Sequence, residues 1–227
     1  MTLSGIKAVV FDKDGTLVDV EATWGPAMAA AVRAIVESPA TQVEVADAIG
    51  LDLQSETLVP DGPIIAESND ELCERMAPII GADPDELLGR FEDFLYAHAR
   101  TCVAPLPGVT EVLDAMKEAG MWIGLATNDG EQSARDQLEI LGWLDYFDEV
   151  VGYDSGYGPK PGPGMVLACV DAAGVTAAET VMVGDTDTDM GAGANAGCRT
   201  VLVHAPVGAV EPTVRLDRLS ELPALLR

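Results

Sequence analysis

From residue 105 onward the sequence alternates between short apolar segments and segments with helical periodicity, and this alternation restricts the fold more than any other feature. An earlier apolar run near the N-terminus belongs to the same pattern. The predicted strands cover residues 6–11, 121–126, 147–151, 180–184 and 200–204. Strands that alternate with helices form a parallel sheet. We therefore predict an α/β fold, a Rossmann-like parallel sheet with helices on both faces.

Residues 20–104 interrupt this pattern, because they show helical periodicity without a convincing strand. Trp24, Met28, Val32 and Ile35 are spaced as one face of a helix, and further series of this kind follow. We predict two domains. Residues 1–19 and 105–227 form the α/β core, and residues 20–104 form an all-helical domain inserted after the first strand.

Two carboxylates directly follow the first predicted strand, in the segment Phe11-Asp12-Lys13-Asp14-Gly15-Thr16-Leu17. In open α/β sheets, ligands bind at the carboxyl ends of the strands, and two such carboxylates can serve as nucleophile and acid/base. A solvated Asp-Gly turn would give the same pattern, so this segment alone leaves both interpretations open. Lys13 is expected to point away from the aspartates and to be peripheral, because side chains alternate in an extended segment.

Three further polar clusters follow predicted strands. Thr127-Asn128 ends the second strand, Lys160 follows the third, and Asp185 and Asp189 follow the fourth. Each cluster taken singly could be a helix cap or a solvated loop. Together they would converge at one edge of a parallel sheet, where four carboxylates repel one another unless a cation is bound. Oxygen ligands of this kind favour Mg²⁺.

The sequence resembles the haloacid dehalogenase superfamily of phosphohydrolases over nearly its whole length. The segment 11–17 resembles the first motif of that family, 125–128 the second, Lys160-Pro161 the third and 184–189 the fourth. The inserted helical region lies where the family places its helical cap of the C1 type. This arrangement is most similar to that of phosphoglycolate phosphatases and their relatives.

The resemblance implies Mg²⁺-dependent hydrolysis of a small phosphorylated metabolite through an aspartyl-phosphate, with 2-phosphoglycolate as the best candidate. It implies that Asp12 is the nucleophile and Asp14 the acid/base, and that Thr127, Asn128 and Lys160 bind the phosphoryl group. The implied metal site consists of Asp12, the backbone carbonyl of Asp14, Asp185 and Asp189. In this site Asp189 supports either the metal or Lys160 from behind.

Other functions on the same fold remain open. One is a phosphosugar mutase, or another phosphosugar or nucleotide phosphatase of the same superfamily. Another is a non-catalytic binding or regulatory protein, because a fold does not fix a function. A dehalogenase is disfavoured, since it would not need an acid/base at the position of Asp14.

Charge restricts the partners of this chain. The formal charge is −25, from 38 acidic and 13 basic residues, which argues against nucleic acid and anionic membranes. An anionic substrate therefore needs a local cation. The arginines of the helical domain that could meet a substrate carboxylate are Arg33, Arg75, Arg90 and Arg100.

The sequence also carries expectations about the compartment of the protein. It contains no apolar run long enough to span a membrane and no signal-peptide pattern, so we expect a cytoplasmic protein. The four cysteines are scattered without a CxxC pair, which indicates reduced core residues. The oligomeric state cannot be predicted from these features.

Overall fold

The computed structural model describes residues 3–60 and 62–226 of the 227-residue chain. The chain divides into two compact units. The core unit contains residues 3–19 and 105–226, and the helical unit contains Val20–Ala104. Residues 1, 2 and 227, which we assigned to the α/β domain, lie outside the described residues.

The described residues form eight strands and ten α-helices. The strands are β1 (Ala8–Phe11), β2 (Leu51–Asp52), β3 (Thr57–Leu58), β4 (Trp122–Ala126), β5 (Glu149–Val151), β6 (Thr180–Gly184), β7 (Arg199–Val203) and β8 (Val214–Leu216). The helices are α1 (Val20–Ile35), α2 (Pro39–Ile49), α3 (Pro63–Ala66), α4 (Asn69–Ile80), α5 (Pro84–Cys102), α6 (Val109–Glu118), α7 (Glu131–Ile140), α8 (Gly164–Ala173), α9 (Asp187–Asn195) and α10 (Leu222–Leu225).

Six strands of the core unit form one parallel sheet in the order β5-β4-β1-β6-β7-β8. The predicted α/β fold with a parallel sheet is confirmed. After β1 the chain builds the sheet outward through β4 and β5 on one side, then through β6, β7 and β8 on the other. The order of strands therefore reverses at β1, and such a switch point is where open α/β sheets bind ligands.

The centre of the sheet is buried on both faces. All four residues of β1 and all five of β6 are buried, as expected for strands that read as continuous apolar runs. A buried apolar cluster joins these strands to α8 and α9, and its members include Val10, Met182 and Val166. This packing holds the carboxyl ends of the central strands, and the loops that follow them, in fixed positions.

The helical unit has an apolar core of its own. Leu72, Met76 and Phe91 are among its fully buried side chains, and α1 packs along α5. The prediction that this region lacks strands is wrong, because β2 and β3 pair as a short antiparallel hairpin. Strands of two residues are too short to produce an alternating pattern in the sequence.

Two of the four arginines that could meet a substrate carboxylate are already paired within the helical unit. Arg33 Nη1 lies 2.5 Å from Glu56 Oε1, and Arg75 pairs with Glu67. No helix among the described residues is long and apolar enough to cross a membrane. All four cysteines are unbridged thiols, and Cys73 and Cys169 are buried.

Candidate active site

Asp12 lies at the end of β1, next to the end of β6. Its backbone N–H donates to the carbonyl of Val183 at 2.8 Å, which continues the pairing of the two strands by one residue. The Asp12 side chain is buried, with the whole residue only 6% exposed. Its carboxylate therefore meets protein groups rather than bulk water.

Lys160 bridges two buried carboxylates. Its Nζ atom donates to Asp12 Oδ1 at 2.5 Å and to Asp189 Oδ1 at 2.6 Å. Burial opposes the charged form of this lysine, but Asp12 and Asp189 outweigh burial and raise its pKa. The loop after β5 thus brings a fixed positive charge to the carboxyl ends of β1 and β6.

Asp189 is held on both sides. While its Oδ1 atom accepts from Lys160, its Oδ2 atom accepts from the backbone N–H of Thr186 at 3.0 Å and from the Thr186 hydroxyl at 2.6 Å. These bonds form a capping box at the start of α9. Gly184 permits this approach, because a Cβ atom there would lie 2.3 Å from Asp189 Cβ.

A turn after Asp14 brings the first loop against Asp185. Gly15 has a φ angle of +83°, which favours glycine, and a Cβ atom at this position would lie 2.1 Å from Asp185 Oδ2. The Thr16 hydroxyl donates to Asp185 Oδ1 at 3.4 Å. The close approach of the two loops therefore depends on glycine at position 15.

Asp12, Asp185 and Asp189 form the candidate metal site. One carboxylate oxygen from each residue lies within 4.8 Å of the other two. Burial raises the pKa of Asp12 well above its ordinary value, an effect that Lys160 opposes. Burial and the nearby Asp189 raise the pKa of Asp185 to about 7. When all three carboxylates are ionised, the single positive charge of Lys160 does not balance their negative charge. The cluster therefore fits a divalent cation that takes oxygen ligands.

Thr127 and Asn128 follow β4. The backbone N–H of Thr127 donates to the Val151 carbonyl at 3.0 Å, and its hydroxyl oxygen accepts from the N–H of Asp129 at 3.1 Å. The hydroxyl proton of this buried threonine remains available for a bound anion. Asn128 accepts from the N–H of Lys160 at 2.9 Å and donates to the Lys160 carbonyl at 3.2 Å, so it fixes the backbone of the lysine loop.

Lys13 is fully buried, and the prediction that it is peripheral is wrong. Its Nζ atom lies 2.9 Å from Asp14 Oδ1 and 2.8 Å from Asp14 Oδ2. The same atom lies 3.2 Å from Asp129 Oδ2 and donates to Gln137 Oε1 at 2.7 Å. Alternation of side chains fails as a guide here because β1 ends at Phe11, before Lys13.

Asp129 is the site residue that sequence reasoning missed, because its segment reads as an ordinary turn after β4. Its side chain is only 5% exposed. Burial raises the pKa of its carboxyl, an effect that Lys13 opposes. For Lys13 itself, burial opposes the charged form, but Asp14 and Asp129 outweigh burial and raise the pKa.

A family model for haloacid dehalogenase-like hydrolases matches residues 6–197, a range that contains every residue of this site. The chain is 32% identical over 231 residues to a phosphoglycolate phosphatase of Vibrio vulnificus (strain YJ016), a match that covers 98% of this chain and 96% of that protein. It is 28% identical over 228 residues to pyrophosphatase PpaX of Bacillus velezensis, with 98% and 97% covered. A crystal structure of a HAD-superfamily hydrolase of subfamily IA from Geobacter sulfurreducens has a TM-score of 0.68 at 22% identity, with 100% and 99% covered.

Proposed function

Since the chain belongs to the haloacid dehalogenase-like hydrolases, we propose that it is a Mg²⁺-dependent phosphatase that hydrolyses a small phosphomonoester through an aspartyl-phosphate on Asp12. The family resemblance and the phosphatase class predicted from the four motifs are confirmed by these matches. The substrate that we propose first is 2-phosphoglycolate, because the Vibrio relative bears the name of that activity.

The observation that carries this proposal is the position of Lys160 between Asp12 and Asp189, at the switch point of the sheet. Phosphoryl transfer requires mainly that a protein position the reacting groups and neutralise charge. Lys160 contacts one oxygen of Asp12 and would also neutralise a bound phosphoryl group. The second oxygen of Asp12 is then the one that attacks phosphorus.

The proposed first step transfers the phosphoryl group to the enzyme. A carboxylate oxygen of Asp12 forms a bond to phosphorus while the bond from phosphorus to the leaving oxygen breaks. Asp14 donates a proton to that leaving oxygen, which departs as an alcohol. The Thr127 hydroxyl donates a hydrogen bond to the phosphoryl oxygens, and Asn128 keeps Lys160 in place.

The second step returns the enzyme to its starting state. Asp14, now a carboxylate, takes a proton from a water molecule that attacks phosphorus. The bond between phosphorus and Asp12 breaks, which releases inorganic phosphate and regenerates both carboxyl groups in their original forms. Over the two steps Asp14 gives one proton to the alcohol and takes one from water, so the net reaction consumes only substrate and water.

We propose that Asp12, Asp185, Asp189 and the backbone carbonyl of Asp14 would hold Mg²⁺. In that arrangement Asp189 supports the site mainly through Lys160, since each of its oxygens already accepts a hydrogen bond. When bound, the ion supplies positive charge that keeps Asp12 ionised and offsets charge on the phosphoryl group. This supply matters because burial favours the protonated, non-nucleophilic form of Asp12.

The test is phosphate release with and without Mg²⁺ from 2-phosphoglycolate, small sugar phosphates, nucleoside monophosphates and pyrophosphate. Asp12→Asn is the blank, and Asp171→Asn, an exposed aspartate of α8, is the matched control. We expect Mg²⁺-dependent release that Asp171→Asn retains and Asp12→Asn loses by at least about a thousandfold. We also expect the mass of one phosphoryl group on a peptide containing Asp12 after an acid quench.

Each contrary result has a defined meaning. Full turnover by Asp12→Asn would refute the aspartyl-phosphate mechanism. Interconversion of sugar phosphates without net phosphate release would replace the phosphatase with a mutase. Binding without turnover of any compound would favour a regulatory protein.

A further inference from the structure

Lys13 is a buried charged side chain of the site that has no role in the proposed reaction. Lys13 is fully buried and contacts both oxygens of Asp14, at 2.9 and 2.8 Å. On the other side it contacts Asp129 and Gln137, which belong to the loop after β4 and to α7. We call Lys13, Asp129 and Gln137 the lysine network.

The lysine network buries charged groups, which costs free energy of folding. A buried ion pair is often no more stabilising than well-packed apolar side chains of similar volume. Here one ammonium group faces two carboxylates, and the Nε2 atom of Gln137 has no hydrogen-bond partner. It is the one buried side-chain nitrogen or oxygen in this condition among residues 3–60 and 62–226. Departures of this kind from favourable packing are typical of functional sites.

The lysine network is held rigidly from the side of α7. The Asp129 carboxylate accepts from the backbone N–H of Gly130 at 2.7 Å and from the Ser133 hydroxyl at 2.9 Å. Ser133 and Gln137 lie one helical turn apart on α7, so a single helix supports both partners of Lys13. The ammonium position is thus defined by groups that lie outside the first loop.

The lysine network also joins two loops that take part in the proposed reaction. The backbone N–H of Asp129 donates to the hydroxyl oxygen of Thr127, which would bind the phosphoryl group. Lys13 connects this same Asp129 to Asp14, the proposed acid/base. The position of Asp14 is therefore tied to the position of the phosphoryl-binding loop.

We infer that Lys13 is a positioning residue, which holds the carboxyl group of Asp14 in the orientation in which it delivers a proton to the leaving oxygen and, as a carboxylate, later accepts one from water. Asp129 and Gln137 hold Lys13 in turn. This inference rests on the proposed function, because it assigns a task within the two-step reaction. Lys13 itself does not touch substrate or the reacting atoms.

The test separates steps that need Asp14 from steps that do not. In p-nitrophenyl phosphate the leaving p-nitrophenolate is a weak base that departs without a proton, so phosphorylation of Asp12 does not need Asp14 as an acid. An alkyl phosphate, such as the one that the wild-type enzyme hydrolyses fastest, does need this proton. Rapid-quench measurements of the first turnover with each compound report the first step alone.

The main variant is Lys13→Met, which keeps much of the side-chain length and removes the charge. Lys117→Met is the matched control, since Lys117 pairs with Asp148 on the surface of the same unit. Asp129→Asn is the second variant. It keeps Lys13 charged but removes the charge of one of the two groups outside the first loop that hold the ammonium group in position.

With the alkyl phosphate, we expect Lys13→Met to lower the first-turnover rate and kcat by about 10- to 100-fold, with KM changed by less than about threefold. With p-nitrophenyl phosphate, we expect the first turnover to stay within about threefold of wild type, followed by a slow steady state, since hydrolysis of the aspartyl-phosphate still needs Asp14. Asp129→Asn should show the same pattern with a smaller loss, and Lys117→Met should match wild type.

A general structural defect would slow the first turnover of both compounds equally, and that result would overturn the inference. Wild-type rates in Lys13→Met would overturn it too. If Lys13→Met does not fold, the same comparison of first-turnover rates with the two compounds is made in Asp129→Asn, and the same results support or overturn the inference. If the wild-type enzyme itself forms no aspartyl-phosphate, or Asp12→Asn forms p-nitrophenolate normally, the proposed function fails and this inference falls with it.

Discussion

The raised pKa of Asp185 predicts that the metal-free protein loses stability as the pH rises. The carboxyl of Asp185 has a pKa of about 7, against an ordinary value of 3.8, because of burial and the nearby Asp189. Between these two pH values the native state holds a proton that the unfolded state has lost. The free energy of unfolding therefore falls with increasing pH over this interval, the reverse of the behaviour of an aspartate in a stabilising salt bridge.

The size of the effect follows from the difference in proton affinity. A rise from 3.8 to about 7 corresponds to about 4 kcal/mol over the full titration, at about 1.36 kcal/mol for each tenfold change in affinity. Integration of the two titrations between about pH 5 and about pH 8 gives about 2.5 kcal/mol. Asp185 is partly exposed, and water screens its charge, so we expect a loss of about 1 to 2.5 kcal/mol over this range.

Urea unfolding in the presence of a chelator measures this loss, with Asp185→Asn as the reference because it cannot titrate. The free energy of unfolding of wild type relative to Asp185→Asn should fall from about pH 5 to about pH 8. Mg²⁺ at about 100 times its dissociation constant should then stabilise wild type at the higher pH by about 2.7 kcal/mol, and Asp185→Asn by less. Parallel pH curves for the two proteins would refute the reasoning, since they would show that Asp185 titrates alike in both states.

Two further predictions concern the loops that surround this cluster. Gly15→Ala should lower the free energy of unfolding in urea by about 1–3 kcal/mol and lower turnover by about 10- to 100-fold, because the added Cβ atom would displace the Asp185 carboxylate. The control is Gly5→Ala, since Gly5 has a φ angle of +79° and no atom lies within 4 Å of the added Cβ. This control should lose stability but keep its turnover, and equal turnover in the two variants would contradict this account. Asn128→Ala removes both side-chain hydrogen bonds to the Lys160 backbone, so the free energy of unfolding should fall by about 1–3 kcal/mol and kcat should fall. An unchanged kcat would show that the loop of Lys160 holds its position without Asn128.

The sequence predicted the parallel sheet because its central strands are buried on both faces. Such strands appear as continuous apolar runs, and β1 and β6 show this directly. The short strands β2, β3 and β8 could not be predicted, because they form no continuous buried run. β8 has only three residues, of which only Leu216 is buried, and the hairpin of β2 and β3 has two residues in each strand.

The polar clusters at strand ends could also be predicted, since topology alone brings the carboxyl ends of parallel strands to one edge. The partners of individual side chains could not. Lys13 meets Gln137, which lies 124 positions away, and no local pattern signals that contact. Asn128 is predicted to bind the phosphoryl group, and no local pattern signals that both of its polar side-chain atoms also contact the backbone of Lys160.

The arrangement of lysines shows how a chain with a formal charge of −25 surrounds the two aspartates of the proposed nucleophile and acid/base with different groups. The sequence contains only four lysines, and two of them are buried in this site. Lys160 pairs with Asp12, and Lys13 pairs with Asp14. Each aspartate therefore contacts a different lysine. Lys160 also contacts Asp189, and Lys13 also contacts Asp129, so the two carboxyl groups have different surroundings. Such a difference is what lets one carboxyl group act as a nucleophile while its neighbour moves protons.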